Sequence, residues 1–317
     1  MKKTKTSWID LYKKYGIYIF LVVVCAFFSV AAPNFLSASN LINILRQVSM
    51  FGIVVIGVTM VMIGGGMDLS VGGQMAVVGM VVGFLLVKLK LPIPVTALIG
   101  ILTGIAFGTV NGIVAIKLKI MPIIVTLSTM LILQGVAYLI TGGYPITGMP
   151  KPFLMLGQGY IGPIPIPVII FVLFILFGWI VMNKTYLGRM IYALGGNKEA
   201  ARLAGINVDK LTIMVYAFAG FAASIAALIM VARTNASQPG AGSSYPFDCM
   251  TAACLGGISI AGGVCHNIGQ LAIAMVVVET FSVIYYVPVL LIAGLATGLL
   301  IGIAADGMLK RLVNINF

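Results

Sequence analysis

A chain of 317 residues that is 61% hydrophobic and only 8% charged does not describe a soluble domain, and its mean hydropathy of +1.15 comes from repeated apolar runs near membrane-span length. The formal charge of +12 would suit nucleic acid or anionic lipid, but membrane topology explains it better, because basic residues gather in cytoplasmic loops. The four cysteines (Cys25, Cys249, Cys254, Cys265) lie in or beside apolar segments without disulfide or zinc spacing, which makes them small hydrophobes.

In chain order, residues 1–15 form a basic, amphipathic cytoplasmic start with Trp8, Tyr12 and Tyr15 as interface anchors. With no cleavage signal after it, the first span at 16–32 reads as an anchored helix. An exposed connection at 37–43 carries a capped helix start, and a second span is expected at 47–63. Further spans fall at 69–87, 93–116 and 122–141. A Pro/Gly-rich linker over 142–167, with Lys151 as its single charge, suits an outer-face loop. A sixth span at 166–182 leads into a polar stretch, and a seventh covers 211–232. A small-residue loop at 234–245 and a short, glycine-interrupted segment at 247–261 precede two last spans at 268–287 and 288–308. The fold expected is an all-α polytopic membrane protein of about ten transmembrane helices, one transmembrane domain over 1–317, with both termini cytoplasmic. That orientation leaves only Arg46, Lys88, Lys90, Lys151 and Arg233 of the 19 basic residues outside; the inverted one reverses the bias.

The polar stretch, 184–210, holds Lys184, Arg189, Lys198, Arg202 and Lys210 between long apolar segments. Within it Asn197-Lys-Glu-Ala-Ala-Arg-Leu-Ala204 reads as a short helix, with Asn197 as N-cap, Glu199 in the first turn and Gly205 as the stop. Two turns of helix are too short to persist alone in water, so the segment requires something to dock on. It is read either as a lever for a soluble partner or as an ordinary positive cytoplasmic loop.

The chain has few groups suited to chemistry at depth. Asp68 stands in a glycine-dense break, Gly64-Gly-Gly-Met-Asp-Leu-Ser-Val-Gly-Gly73, where irregular backbone survives only under cover of protein or water. Asp68 is either the N-cap of the next helix or a substrate contact, and the two roles are compatible. Leu255-Gly-Gly-Ile-Ser-Ile-Ala-Gly-Gly263 repeats the pattern, as broken helices do in matching halves of transporters. Ser70, Asn111, Gln134, Asp248 and Glu279 join Asp68 as candidates to line a pathway, or to satisfy a neighbouring helix. Cys265-His266 lacks a second ligand pair, which argues against a metal site. No G-x-x-x-x-G-K-[ST] loop occurs, so no ATPase site is expected in this chain, and no cofactor.

Three stretches carry a family resemblance: Gly65-Gly-Met-Asp-Leu-Ser-Val-Gly72, Asn111-Gly-Ile-Val-Ala-Ile-Lys-Leu-Lys-Ile-Met-Pro-Ile-Ile-Val-Thr-Leu127, and Gly188-Arg-Met-Ile-Tyr-Ala-Leu-Gly-Gly-Asn-Lys-Glu-Ala-Ala-Arg-Leu-Ala-Gly-Ile206. With the second glycine break they resemble the permease subunits of ribose-type sugar ABC importers, a family that includes autoinducer-2 permeases. The resemblance implies a bacterial inner-membrane assembly of two permeases (a homodimer or sister subunits), two cytoplasmic ABC ATPases that bind the ATP, and an extracytoplasmic sugar-binding protein. It also implies that Asn197, Lys198, Glu199, Ala200, Ala201, Arg202, Leu203 and Gly205 form the coupling helix seated in the ATPase. After Gly263 the chain departs from the family pattern, with Cys265, His266, Gln270 and Glu279 in place of small residues. The sugar therefore stays open. A proton- or sodium-coupled carrier for a small polar solute is the rival reading, and a structural subunit of another membrane complex a third.

Overall fold

A computed structural model describes residues 22–23, 25–30, 32 and 34–258. Six of the described helices are long and apolar enough to cross a membrane: α1 (Ala38–Ile63), α2 (Val71–Gly83, prolonged by a π-helical turn, Phe84–Lys88), α3 (Ile93–Lys117), α4 (Pro122–Thr141), α6 (Ile166–Lys184) and α9 (Val208–Thr234). The spans expected from 47–63 to 211–232 are all present. Of the expected first span, residues 22–23, 25–30 and 32 are described, and 22–23 and 25–30 are helical; the rest lies outside the described residues. The last two spans and Glu279 lie outside them entirely.

Span limits follow local chemistry. Ser37 caps α1 by accepting from the Asn40 amide at 3.3 Å, so that helix begins nine residues ahead of the apolar run. Proline in the first turn opens α3, α4 and α6, where its missing N–H costs nothing. The break after α1 closes by wrapping, with Gly66 N–H donating to Val61 O at 2.9 Å across Gly65, whose φ of +79° suits only glycine.

Burial sorts the spans into a centre and a rim. In α2, 72% of the apolar window is enclosed, with 67% in α1 and 61% in α9, whereas α3 and α6 are each at 22% and α4 at 28%. The latter turn Leu98, Leu102, Leu131, Leu139, Leu173 and Trp179 outward, as lipid-facing helices do. The main core joins Val54, Val58, Met75, Val78, Met80, Ala222, Ala226 and Ile229 from the three central helices. α9 packs closely along α3, where Gly104 and Gly220 meet backbone to backbone. A Cβ at Gly104 would stand 2.6 Å from Gly220 O and run into the Ser224 hydroxyl, whereas one at Gly135 on α4 meets nothing within 4 Å. Gly104→Ala is therefore expected to lower the unfolding temperature of the detergent-solubilised protein, at a cost of about 1–3 kcal/mol. Gly135→Ala should leave it in place or raise it.

The expected linker at 142–167 is structured. It forms β1 (Ile146–Thr147), α5 (Lys151–Gln158) and a hairpin of β2 (Tyr160–Ile161) and β3 (Ile164–Pro165). β1 pairs antiparallel with β4 (Ala236–Ser237) just past α9. Buried Phe153 and the fit of Gly157 against Ala232 and Arg233 hold α5 on the end of α9, signals hidden by the proline and glycine content. Arg46 adds a bond from its guanidinium to Gln158 O at 2.8 Å and lies over the Tyr160 ring at 4.7 Å. The last described helix, α10 (Tyr245–Ile258), runs through Gly256 and Gly257 without interruption, so the second glycine break does not begin there. Helix geometry tolerates both glycines at a modest propensity cost. The remainder of that motif lies outside the described residues.

Candidate functional site

The polar stretch folds as two helices, not one. α7 (Tyr186–Gly196) starts at Thr185, whose hydroxyl oxygen accepts from Gly188 N–H, and α8 (Lys198–Leu203) follows directly. α7 escapes sequence reading because Gly188, Gly195 and Gly196 look like breakers; Gly188 instead permits close packing on the Met182 and Val181 carbonyls. α8 is as expected. Asn197 Oδ1 accepts from the amides of Glu199 at 3.0 Å and Ala200 at 2.9 Å. Gly205, at φ +83°, ends the helix, and Ile206 N–H returns to Ala201 O at 3.1 Å.

A second apolar cluster seats this element on the ends of the spans: Met60 and Val61 of α1, Met182 of α6, Ile191 and Leu194 of α7, Ala201 of α8, and Val208, Leu211 and Tyr216 of α9. Only Ala201 of α8 is buried. Lys198, Glu199, Ala200, Arg202 and Leu203 all face outward, Leu203 with 89% of its surface exposed. Arg202 reaches Glu199 at 3.3 Å and Asp209 at 3.5 Å, exposed pairs that add little stability and stay open to exchange for other partners. A long apolar side chain at the tip of a six-residue, charge-flanked helix is suited to a pocket on another protein.

The second cluster lies in the glycine break. Ser70 occupies the N-cap of α2, and Asp68 Oδ1 accepts from both its amide at 2.9 Å and its hydroxyl at 2.5 Å. Asp68 thus holds the cap without being the cap itself, a correction to the simplest sequence reading. It sits two positions before the N-cap and its reach ends at Ser70. The Ser70 hydroxyl also accepts from Gln74 Nε2 at 2.6 Å and from Asn111 Nδ2 of α3 at 2.7 Å. Asn111 Oδ1 in turn accepts from the Thr129 hydroxyl of α4 at 2.7 Å. The Ser70 oxygen therefore joins α2 to α3, and Asn111 carries the link on to α4. Asp68, Ser70, Gln74 and Asn111 are all buried, and Asp68 Oδ2 and Gln74 Oε1 have no hydrogen-bond partner among the described residues.

Of the expected pathway residues, the structure gathers Asp68, Ser70 and Asn111. Gln134 is half-buried on α4 outside the network, and Asp248 sits in the first turn of α10. Gln74, Thr129 and Tyr216 were not expected; the spacing of Ser70 and Gln74, one helical turn apart, was the available signal. Tyr216 donates from its hydroxyl to Met67 O at 3.0 Å, bracing the break from α9. No group of three or more potential metal ligands occurs among the described residues. A cavity of about 390 Å³ opens at the bundle end opposite α8, beside the π-helical turn and Lys88, away from this network.

A family model described as "Branched-chain amino acid transport system / permease component" matches residues 40–278, from the start of α1 past the end of α10. The chain belongs to this permease family. The permease is 40% identical over 263 residues to the ribose import permease protein of Escherichia coli (strain K12), covering 81% of each chain. It is 36% identical over 269 residues to the ribose import permease protein of Bacillus subtilis (strain 168), covering 84% of this chain and 82% of the relative. Over 300 residues it is 33% identical to the galactose/methyl galactoside import permease protein of Escherichia coli (strain K12), covering 89% and 88%. No solved structure matches the permease. Its all-α, multi-pass architecture is that of a ribose-type membrane permease, as the sequence motifs implied.

Proposed function

We propose that the permease is the transmembrane subunit of an ATP-driven importer for a monosaccharide, a ribose-like pentose or a hexose, in a bacterial inner membrane. The observation that carries this reading is α8, a capped six-residue helix with Leu203 bare at its tip, packed on α7 and α9, with Ala201 in the apolar cluster that holds the ends of three spans. The printed functions of the similar ribose and galactose permeases support the substrate class. The whole chain acts as one permease domain, with both termini and α7–α8 on the cytoplasmic side, where the excess of basic residues belongs. A separate ABC ATPase binds the ATP and grips α8, an extracytoplasmic binding protein delivers sugar, and a second permease copy or sister subunit completes the pathway.

In this mechanism ATP closes the ATPase pair and α8 moves with it. The spans around the Asp68 break then re-pack between two arrangements, which is how a tightly packed core answers a local push. The buried acceptors Asp68 Oδ2 and Gln74 Oε1 support a role for the break in the pathway, since sugar hydroxyls are donors suited to such oxygens once the helices part.

Proteoliposomes test the reading. Radiolabelled ribose or galactose should enter when the permease is reconstituted with its ATPase and binding protein and given ATP, with ion gradients collapsed. Uptake driven by a proton or sodium gradient without the ATPase would establish the carrier instead, and uptake of leucine but neither sugar would overturn the substrate class.

A further inference from the structure

The proposed lever and the Asp68 break are more than a hundred residues apart in sequence, and they touch. Gly195, in the last turn of α7, lies against the backbone where α1 ends. A Cβ there would run into the Ile63 carbonyl oxygen and approach the Gly64 carbonyl carbon at 3.3 Å. From the other side, a Cβ at Gly65 would stand 3.5 Å from Gly195 Cα, and one at Gly64 would be 3.5 Å from Leu194 Cδ2. Its neighbour Gly196 has nothing within 4 Å of where a Cβ would go. The contact is thus confined to one of two adjacent glycines.

The chain leaving α8 in the other direction reaches the same place. Two turns into α9, the buried Tyr216 donates to Met67 O at 3.0 Å, and its hydroxyl lies 2.6 Å from where a Cβ at Gly66 would sit. Both flanks of α8 therefore bear on residues 63–67. Asp68 follows immediately, holding Ser70, which binds Asn111 of α3 and through it Thr129 of α4. Each joint is a close backbone contact or a hydrogen bond of a buried or half-buried side chain, which leaves little slack to absorb displacement at one end.

We propose that Gly195 and Tyr216 are positioning residues that transmit movement of α8 to the Asp68 break, Gly195 by bearing on the end of α1 and Tyr216 by holding the Met67 carbonyl. This rests on the reading of α8 as the helix gripped by an ATPase. Gly195→Ala pushes α7 off α1 while leaving the outward face of α8 unaltered. Tyr216→Phe removes only the bond to Met67 O.

The test places a reporter thiol at the break by Met67→Cys, whose side chain is 39% exposed, in the full-length permease with its four native cysteines replaced by alanine, assembled with its ATPase. The labelling rate by a maleimide is compared with and without ATP plus vanadate. The parent and Gly196→Ala should show an ATP-dependent change of about fivefold or more, the low end of a typical allosteric coupling. Gly195→Ala should lose it and Tyr216→Phe reduce it, both with normal ATPase co-purification, which a purely structural defect would not spare. If Gly195→Ala responds as Gly196→Ala does, the transmission route is wrong while the lever reading stands. If the parent itself shows no ATP response, or keeps it after Leu203→Asp, the lever reading fails and takes the route with it.

Discussion

Leu203→Asp is expected to abolish ATP-driven uptake while leaving the permease folded and in the membrane. The side chain touches almost nothing of its own protein, with 89% of its surface exposed, so the substitution removes no internal packing. On the proposed reading of α8, the same side chain becomes a central apolar anchor of the ATPase interface. Truncating such an anchor costs 2 kcal/mol or more, roughly thirtyfold in affinity, and burying a carboxylate in its place costs further. Co-purification of the ATPase and sugar-stimulated ATP hydrolysis should both collapse, with the permease's own unfolding temperature unchanged. Leu203→Met should keep both. Asn197→Ala is expected to act in the same direction more mildly, because the two amides it caps are worth about 1 kcal/mol to the helix. Wild-type ATPase binding by Leu203→Asp would remove α8 from the interface.

The second large effect is expected at Ser70. Ser70→Ala deletes one oxygen and orphans the Gln74 and Asn111 amide donors together, each in a buried site and each costing about 1–3 kcal/mol when unpaired. It also takes from Asp68 the hydroxyl that it accepts at 2.5 Å. Unfolding temperature in detergent should fall clearly, and uptake with it. Because the partners share one hub, Ser70→Ala and Asn111→Leu should be non-additive, with a coupling of about 0.5–3 kcal/mol in a double-mutant cycle. Strict additivity would mean that the network does not act as a unit.

What could be read from the residues alone divides along a physical line. The six described spans and α8 depend on local signals: apolar length, prolines in first turns, and an Asn cap and glycine stop that work within a few residues of themselves. Asp68 and Asn111 stood out because a lone acid or amide in an apolar run needs a reason to be there. Gln74, Thr129 and Tyr216 did not, since their importance comes from Ser70 and Met67, partners brought to them by helix packing. The glycines misled in both directions. Gly195 looked like a helix breaker and is a bearing surface, and Gly256 and Gly257 looked like a break and lie inside α10. A glycine's role depends on what approaches it, which composition does not record. The loop at 142–167 shows the same limit, because burial of Phe153 turned a presumed linker into α5 and its hairpin.

The most direct measurement is a photo-cross-linking experiment with a benzophenone side chain at position 203 in cells making the whole importer. Illumination should join the permease to its ATPase, with yield lost on Gly205→Pro, which cannot adopt the left-handed turn that ends α8. Adducts with only lipid, or with a protein on the outer side of the membrane, would contradict the account.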